Sequence, residues 1–446
     1  MQIEGFFSKR HISSFQIILL GFLAVILLGA SLLMTPLASA DHIWTPFLDA
    51  LFTSTSAVCV TGLIVHDTAT YWSMFGQVII ILLIQIGGVG VVTVAVSIAM
   101  YSGRRIGLMQ RSLMQDAISA PQVGGIVRLT GFIIKGTAIF EGIGAAIMAP
   151  TFIHDFGFWK GLWYAVFHSI SAFCNAGFDL IGVRAPFSSL TSYAGNPVIN
   201  LTIMSLILIG GIGFLTWADI RAYGFKFSRY KLQSKIILTA TVFLVFVPAI
   251  YFYFGEFTQG PVGTRILESL FQSVTPRTAG FNTVPLDKMT ETGQFIIVLL
   301  MLTGGAPGST AGGMKITTVS AMFLAMRASM RKKDCPVCFG RRIEADVLHN
   351  AMTIFFLYLT LFFLGSMVIS RIEGLPLLAC MYEVASAIDT VGLTLGITPH
   401  LSSASRIILI TYMYLGRVGG MTLAYATLTT RTQGNAKMPA EKIMVG

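Results

Sequence analysis

Charge is what this chain has least of. Asp, Glu, Lys and Arg make up 11% of its 446 residues, against roughly 25% in soluble domains. That scarcity excludes an ordinary water-soluble globule, and no polar stretch of fifty residues remains to form a separate soluble domain. No HExxH, no clustered histidines and no paired catalytic carboxylates occur, which argues against a membrane enzyme. The five cysteines are scattered. Cys335 and Cys338 have CxxC spacing in a predicted cytosolic loop, where reduced thiols are the default. No second pair or histidine couple completes a tetrahedral zinc set. Gly308 through Lys315 does not satisfy GxxxxGK[ST], so no nucleotide is expected at that glycine-rich stretch.

Apolar residues, by contrast, reach 54%. Stretches near the ~20 residues needed to span a bilayer recur throughout. They are Phe15–Pro36, Val78–Met100, Thr130–Pro150, Ile199–Trp217, Ile236–Phe254, Phe295–Leu302 continuing after a break to Met326, Ala351–Ile369 and Ile407–Leu428. The reading is an all-α polytopic membrane protein with eight membrane-spanning helices. The first run has full spanning length after Lys9 and Arg10, and reads as a span rather than a cleaved signal peptide. The excess of Lys and Arg, a formal charge of +10, collects at the N-terminus and in Arg104–Arg111, Arg221–Lys235, Arg327–Arg342 and Arg431–Lys442. The positive-inside rule puts these segments and both termini in the cytosol. The charge thus orients the protein, and nucleic acid is not an expected partner.

Four times a glycine follows a short amphiphilic helix and precedes a long apolar one: Gly62, Gly177, Gly280 and Gly392. The chain divides near residues 1–103, 104–225, 226–340 and 341–446. Each unit runs outer helix, short pore helix, extended filter, inner helix, so four half-helices accompany the eight spans. The pore helices are expected over Thr45–Val58, Phe158–Phe173, Val262–Thr275 and Leu375–Ala387. The inner helices share a glycine mark beginning at Gly87, Gly210, Gly304 and Gly416. It follows the filter glycine after 25, 33, 24 and 24 residues. Paired glycines let a neighbouring backbone approach closely, and beneath a filter they leave room for a water-filled vestibule.

Bare backbone at membrane depth is tolerated only where it is buried in protein or lines a wet cavity. The filter candidates are Cys59, Val60, Thr61 and Gly62; Cys174, Asn175, Ala176 and Gly177; Arg277, Thr278, Ala279 and Gly280; and Asp389, Thr390, Val391 and Gly392. Glycine supplies positive φ without steric cost, which can turn carbonyls toward a common axis. Four such segments offer rings of oxygen ligands that replace the water shell of a cation. Thr390-Val391-Gly392 matches the start of the potassium-channel signature TVGYG, so a bare cation at the filter is expected. Each pore helix should direct the negative end of its dipole inward. Arg277 would repel cations from inside the pore, so it is expected to turn away and pair with a carboxylate. Asp49, Asp179, Glu268 and Glu383, near the pore helices, are read as structurally paired.

Gating candidates lie below. Gly304, Gly305, Ala306, Pro307, Gly308, Ser309, Thr310, Ala311, Gly312 and Gly313 cannot continue a helix, since glycine and proline cost roughly 1 and 3 kcal/mol each in a helix interior. A loop halfway through the membrane is expected there, with Lys315 anchoring the helix beyond it. Arg417 replaces the second glycine of the fourth mark. Charged and mid-helix, it should face water or a partner, and with the loop it is expected to obstruct the vestibule.

At these residues the chain resembles, throughout its length, the membrane subunit of Ktr-type potassium transporters (the KtrB family), grouped with the Trk and plant HKT transporters. That resemblance implies that the cation at the filter is a potassium ion. It implies four pseudo-symmetric repeats around one central pore, in a multi-pass protein of the bacterial plasma membrane. It implies a homodimer seated on a cytosolic octameric regulatory ring of the KtrA type. ATP and ADP would then act only on that partner, and no covalently bound cofactor is expected. Sodium is a second candidate ion, and passive and sodium-coupled flux are both compatible with this reading. In the family a glycine at Gly62 goes with potassium preference, the gating loop falls on 303–313, and the pore arginine on Arg417. A secondary carrier for another cation or a sodium-coupled solute is the alternative, although its inverted repeats differ from the parallel units here.

Overall fold

The computed structural model describes residues 14–101, 107–118, 124–419 and 441. Their regular structure is helical apart from a small hairpin that pairs Val337–Cys338 with Arg341–Arg342. Basic residues at both termini and at 104–105, and the part of the fourth inner helix expected beyond 419, lie outside the described residues.

The four outer helices are continuous: Ser14–Leu33, Ile126–Phe156, Leu232–Glu256 and Ala345–Glu373, each long and apolar enough to cross a bilayer. Over most of their length they are apolar all round, as helices in lipid are. In the first, Ile18, Phe22, Ile26 and Leu33 are buried, while Leu20, Leu23, Leu27 and Leu28 stay exposed. One face therefore packs on protein and the other is left for acyl chains. The pore helices are Phe47–Val58, Phe158–Phe173, Val262–Val274 and Leu377–Ile388, within two residues of the sequence reading. Three of them are pinned by a serine that donates to a carbonyl of their own outer helix. Ser54 Oγ reaches Ile26 O at 2.7 Å, Ser169 Oγ reaches Glu141 O at 2.6 Å, and Ser273 Oγ reaches Leu244 O at 3.1 Å. Such polar links hold helices together where lipid removes the hydrophobic drive between them.

The inner helices depart from expectation. Only the third was expected to break, yet the first and second are broken as well. Met74–Val89 and Val91–Ser97 meet at 95°, as do Pro197–Gly211 and Phe214–Tyr223. The cause is a glycine near the end of each mark. Gly90 caps the end of the upper half in the first repeat with φ of 96°, Gly213 caps the start of the lower half in the second with φ of 89°, and Gly419 ends the described fourth inner helix, Ser403–Val418, with φ of 91°. An L-residue with a side chain is disfavoured there. The third inner helix comprises Glu291–Met301 and Ile316–Met330, joined by the expected loop.

The first glycine of the mark has a different use. A β-carbon at Gly87, Gly210 or Gly416 would overlap the carbonyl oxygen of Val58, Phe173 or Ile388, the last residue of the same repeat's pore helix. The first, second and fourth inner helices are thus pressed against the ends of their own pore helices. Gly210→Ala should lower the melting temperature of the detergent-purified protein, because the opposing atom is backbone and cannot yield. Gly142→Ala, on an outer helix with nothing within 4 Å, should leave it unchanged or raise it, since alanine is favoured in a helix by about 1 kcal/mol.

Candidate functional site

The four filter segments meet. A β-carbon at Gly62 would lie 2.5 Å from Ala176 O, at Gly177 2.8 Å from Ala279 O, and at Gly280 2.6 Å from Val391 O, while one at Gly392 would overlap Thr61 O. The order 62, 177, 280, 392 and back to 62 closes a ring. Each glycine α-carbon abuts the carbonyl of the residue before the next glycine. No side chain fits between, so the four backbones themselves surround one axis.

Each segment begins where its pore helix is capped. Val60 N–H donates to Ala57 O at 3.1 Å and Thr61 N–H to Ser56 O at 2.8 Å. This is the paired hydrogen bonding of a Schellman motif. It recurs as Asn175 to Ala172 and Ala176 to Ser171, and again as Thr390 to Ala387 and Val391 to Ser386. In the third repeat the helix ends six residues before its glycine rather than four, and the segment closes with Ala279 N–H on Thr275 O at 3.0 Å. The motif demands a left-handed residue, usually glycine. Here it is Val60 (φ 59°), Asn175 (59°), Thr278 (66°) and Thr390 (52°). For β-branched residues this conformation is strained by about 1–3 kcal/mol each. The filter glycines follow two residues later, with φ of 93°, 69°, 80° and 95°.

Hydroxyls fix the other end. Gly62 N–H donates to Ser56 Oγ at 3.0 Å and Gly392 N–H to Ser386 Oγ at 2.9 Å. In the second and third repeats the polarity reverses, with Ser171 donating to Phe178 O at 2.7 Å and Thr275 to Phe281 O. The segments Cys59–Gly62, Cys174–Gly177, Arg277–Gly280 and Asp389–Gly392 are all buried.

The position three before each filter glycine holds Cys59, Cys174, Arg277 or Asp389. Arg277 is 3% exposed, and its Nε and Nη1 have no hydrogen-bond partner. The carboxylate expected to pair with it is absent: among the described residues no acid lies within ion-pair distance of Arg277. Asp49 and Glu383 behave as structural partners. Asp49 accepts from Arg406 Nη1 at 2.8 Å and lies 3.0 Å from His66, while Glu383 accepts from Thr398 at 3.0 Å.

The 303–315 loop passes beneath the ring and is hydrogen-bonded to the second and fourth repeats. Ala306 N–H donates to Gly211 O at 2.9 Å, Thr310 Oγ1 to Phe173 O at 3.1 Å, and Gly313 N–H to Gly416 O at 3.1 Å. Met314 N–H donates to Asp389 Oδ1 at 2.6 Å. Lys315 Nζ folds back onto Ala311 O and Gly312 O at 2.8 and 3.0 Å, anchoring the loop to itself. Arg417 donates to Thr310 O in the loop and to Gly87 O and Gly88 O of the first repeat. Below lies a cavity of about 290 Å³, with Arg417, Lys315 and Gly308 in its wall.

The sequence reading overlooked Glu141. It lies at the middle of the Ile126–Phe156 span and accepts from Gln85 Nε2 of the first inner helix at 3.3 Å. Cys174 Sγ, in the second filter, is 3.6 Å from Gln85 Oε1. A carboxylate halfway along a span was the available signal.

A ring of peptide carbonyls in a polytopic helical membrane protein, with a loop crossing beneath it, defines the class as a membrane cation-transport protein. A family model described as "TrkH: Cation transport protein" matches residues 8–437, and the chain belongs to that family. It is 37% identical to the potassium/sodium uptake protein NtpJ of Enterococcus hirae, over 98% of each chain. It is also 37% identical to the Ktr system potassium uptake protein B of Bacillus subtilis, over 97% of this chain and 96% of that one. The structure of the potassium transporter TrkH from Vibrio parahaemolyticus superposes with a TM-score of 0.74, covering 95% of this chain and 86% of that one at 20% identity. That likeness concerns the fold.

Removing the Asp389 carboxylate tests the loop's attachment. Asp389→Ala leaves the buried Met314 N–H without an acceptor, which costs about 1–3 kcal/mol, and should raise basal cation flux in liposomes. Asp389→Asn keeps an acceptor oxygen and should have a smaller effect.

Proposed function

We propose that this protein takes up potassium across the plasma membrane through the ring of filter carbonyls, and that the 303–315 loop with Arg417 gates the path. The observation that carries the reading is the closed circuit of glycines against carbonyls, from Gly62 through Gly177 and Gly280 to Gly392. Such oxygens replace a cation's hydration shell, and the pore helices end at the ring, where their dipoles favour positive charge. The names of the relatives, potassium/sodium uptake and potassium uptake, support potassium as cargo and sodium as a second ion.

The gate reading is supported by position. The loop lies between the ring and the cavity, and Arg417 ties Thr310 to Gly87 and Gly88 across the axis. A guanidinium there opposes passage of a cation, and loop and arginine move aside on opening. Regulation falls to a cytosolic ring subunit that binds nucleotide, acting on a homodimer of this chain. The word "system" in the name of a relative and the basic, short loops at the gate end support a separate regulatory protein.

Purified protein in liposomes tests this reading, with potassium, rubidium and sodium each offered, and with and without the ring protein. Potassium and rubidium uptake should exceed sodium uptake, and the ring protein with ATP should raise it. Gly62→Ser places a side chain against Ala176 O at a left-handed position and should shift preference toward sodium. Unaltered preference would remove Gly62 from the filter. Arg417→Ala should raise potassium flux without the ring protein, and unchanged flux would remove the gate role.

A further inference from the structure

The gate-end half of the second repeat carries a basic groove that ion conduction does not use. It is an open cavity of about 810 Å³ whose wall includes Arg111, Arg128, Lys135 and Arg221. Arg111 comes from the short helix Leu108–Ile118, Arg128 and Lys135 from the outer helix Ile126–Phe156, and Arg221 from Phe214–Tyr223. Arg128, Phe132 and Lys135 fall at helical spacings of four and three, so they share one face. Arg221 sits over Phe132, its guanidinium carbon 4.9 Å from the ring centroid, which holds that charge at the groove. No described carboxylate pairs with any of the four cations, and none is among the groove's residues.

We propose that this groove binds the headgroup of an anionic phospholipid. Three observations favour a lipid over a soluble anion. The groove sits at the end of the outer helix away from its pore helix, where the span meets the basic aqueous side. Lys135 lies about 14 Å along the helix from Ile126, deep enough for its stem to run through the interface to a headgroup. The same helix then presents Ile139, Ile143 and Ile147 at four-residue steps, 58%, 51% and 48% exposed. A phosphate held by the four cations would therefore place its acyl chains along an apolar, unpartnered stripe. Basic recesses between spans at this interface recognise anionic headgroups in this manner.

Native mass spectrometry of the purified full chain tests the proposal without reference to transport, so its failure is separate from failure of the potassium reading. The probes are phosphatidylglycerol, phosphatidylcholine and soluble glycerol phosphate. The wild type should retain phosphatidylglycerol over the other two. Arg128→Gln/Lys135→Gln/Arg221→Gln should lose that retention by about fivefold or more. The charge-keeping Arg128→Lys/Arg221→Lys and the remote Arg331→Gln/Lys332→Gln should keep it. Should the triple variant fold poorly, Lys135→Gln alone, on an exposed surface, should still weaken retention about twofold. Retention undiminished in Lys135→Gln and the triple variant would overturn the proposal. So would glycerol phosphate binding as well as the lipid, or groove substitutions that only weaken co-purification with a cytosolic protein.

Discussion

The structure depends on the contact of four glycine α-carbons with four carbonyl oxygens around one axis. Every filter glycine faces the peptide oxygen of the neighbouring repeat at a distance that no β-carbon tolerates. The four glycines therefore meet two demands together, a left-handed backbone and an absent side chain. Everything around the ring serves to hold those backbones where they are. Capping bonds end the pore helices, the hydroxyls of Ser56, Ser171, Thr275 and Ser386 brace the far side, and the glycine marks press the inner helices against the pore-helix ends. The strain at Val60, Thr278 and Thr390 persists because the surroundings leave no alternative.

The third repeat shows what happens when that scheme is broken. Its inner helix cannot lean on its pore helix as the others do, because the residues that would form its middle are a loop. Exposed peptide groups at membrane depth are costly, and here several loop N–H groups are satisfied by the second and fourth repeats: Gly210, Gly211, Gly416 and Asp389 supply acceptors. The loop is thus held by a distributed set of ordinary hydrogen bonds. A segment held this way can be released by shifting any of several neighbours, whereas a continuous helix would have to be broken.

The two ends of the bundle use charge differently. At the filter mouths, carboxylates are matched one by one: Asp49 with Arg406, and Asp155 with Arg184 at 2.7 Å. Asp49 and Arg406 also tie the first repeat to the fourth across 357 residues of chain. At the opposite end, the groove of Arg111, Arg128, Lys135 and Arg221 gathers cations with no carboxylate among its lining residues. The first pattern fixes a shape, and the second leaves an unbalanced field that a membrane surface or a partner protein can answer.

Much of this was legible in the sequence, because periodicity and glycine placement are local. Apolar runs set the outer helices, the pore helices fell within two residues of their observed limits, and the glycine-rich stretch after Leu302 had to interrupt its helix. Three features were beyond that reading. The right-angle breaks at Gly90 and Gly213 were hidden because an apolar run looks the same whether straight or bent. The left-handed Val60, Thr278 and Thr390 were hidden because their conformation is imposed by surrounding packing against their own preference. The isolation of Arg277 was hidden because ion pairing depends on which residues share a space, and no local pattern records that. Apolar composition and the recurring glycine motifs alone decided that this protein lives in a membrane with four similar units. Only the tertiary structure decided that those units close on one another, since the closing contacts join carbonyls to α-carbons more than fifty residues apart.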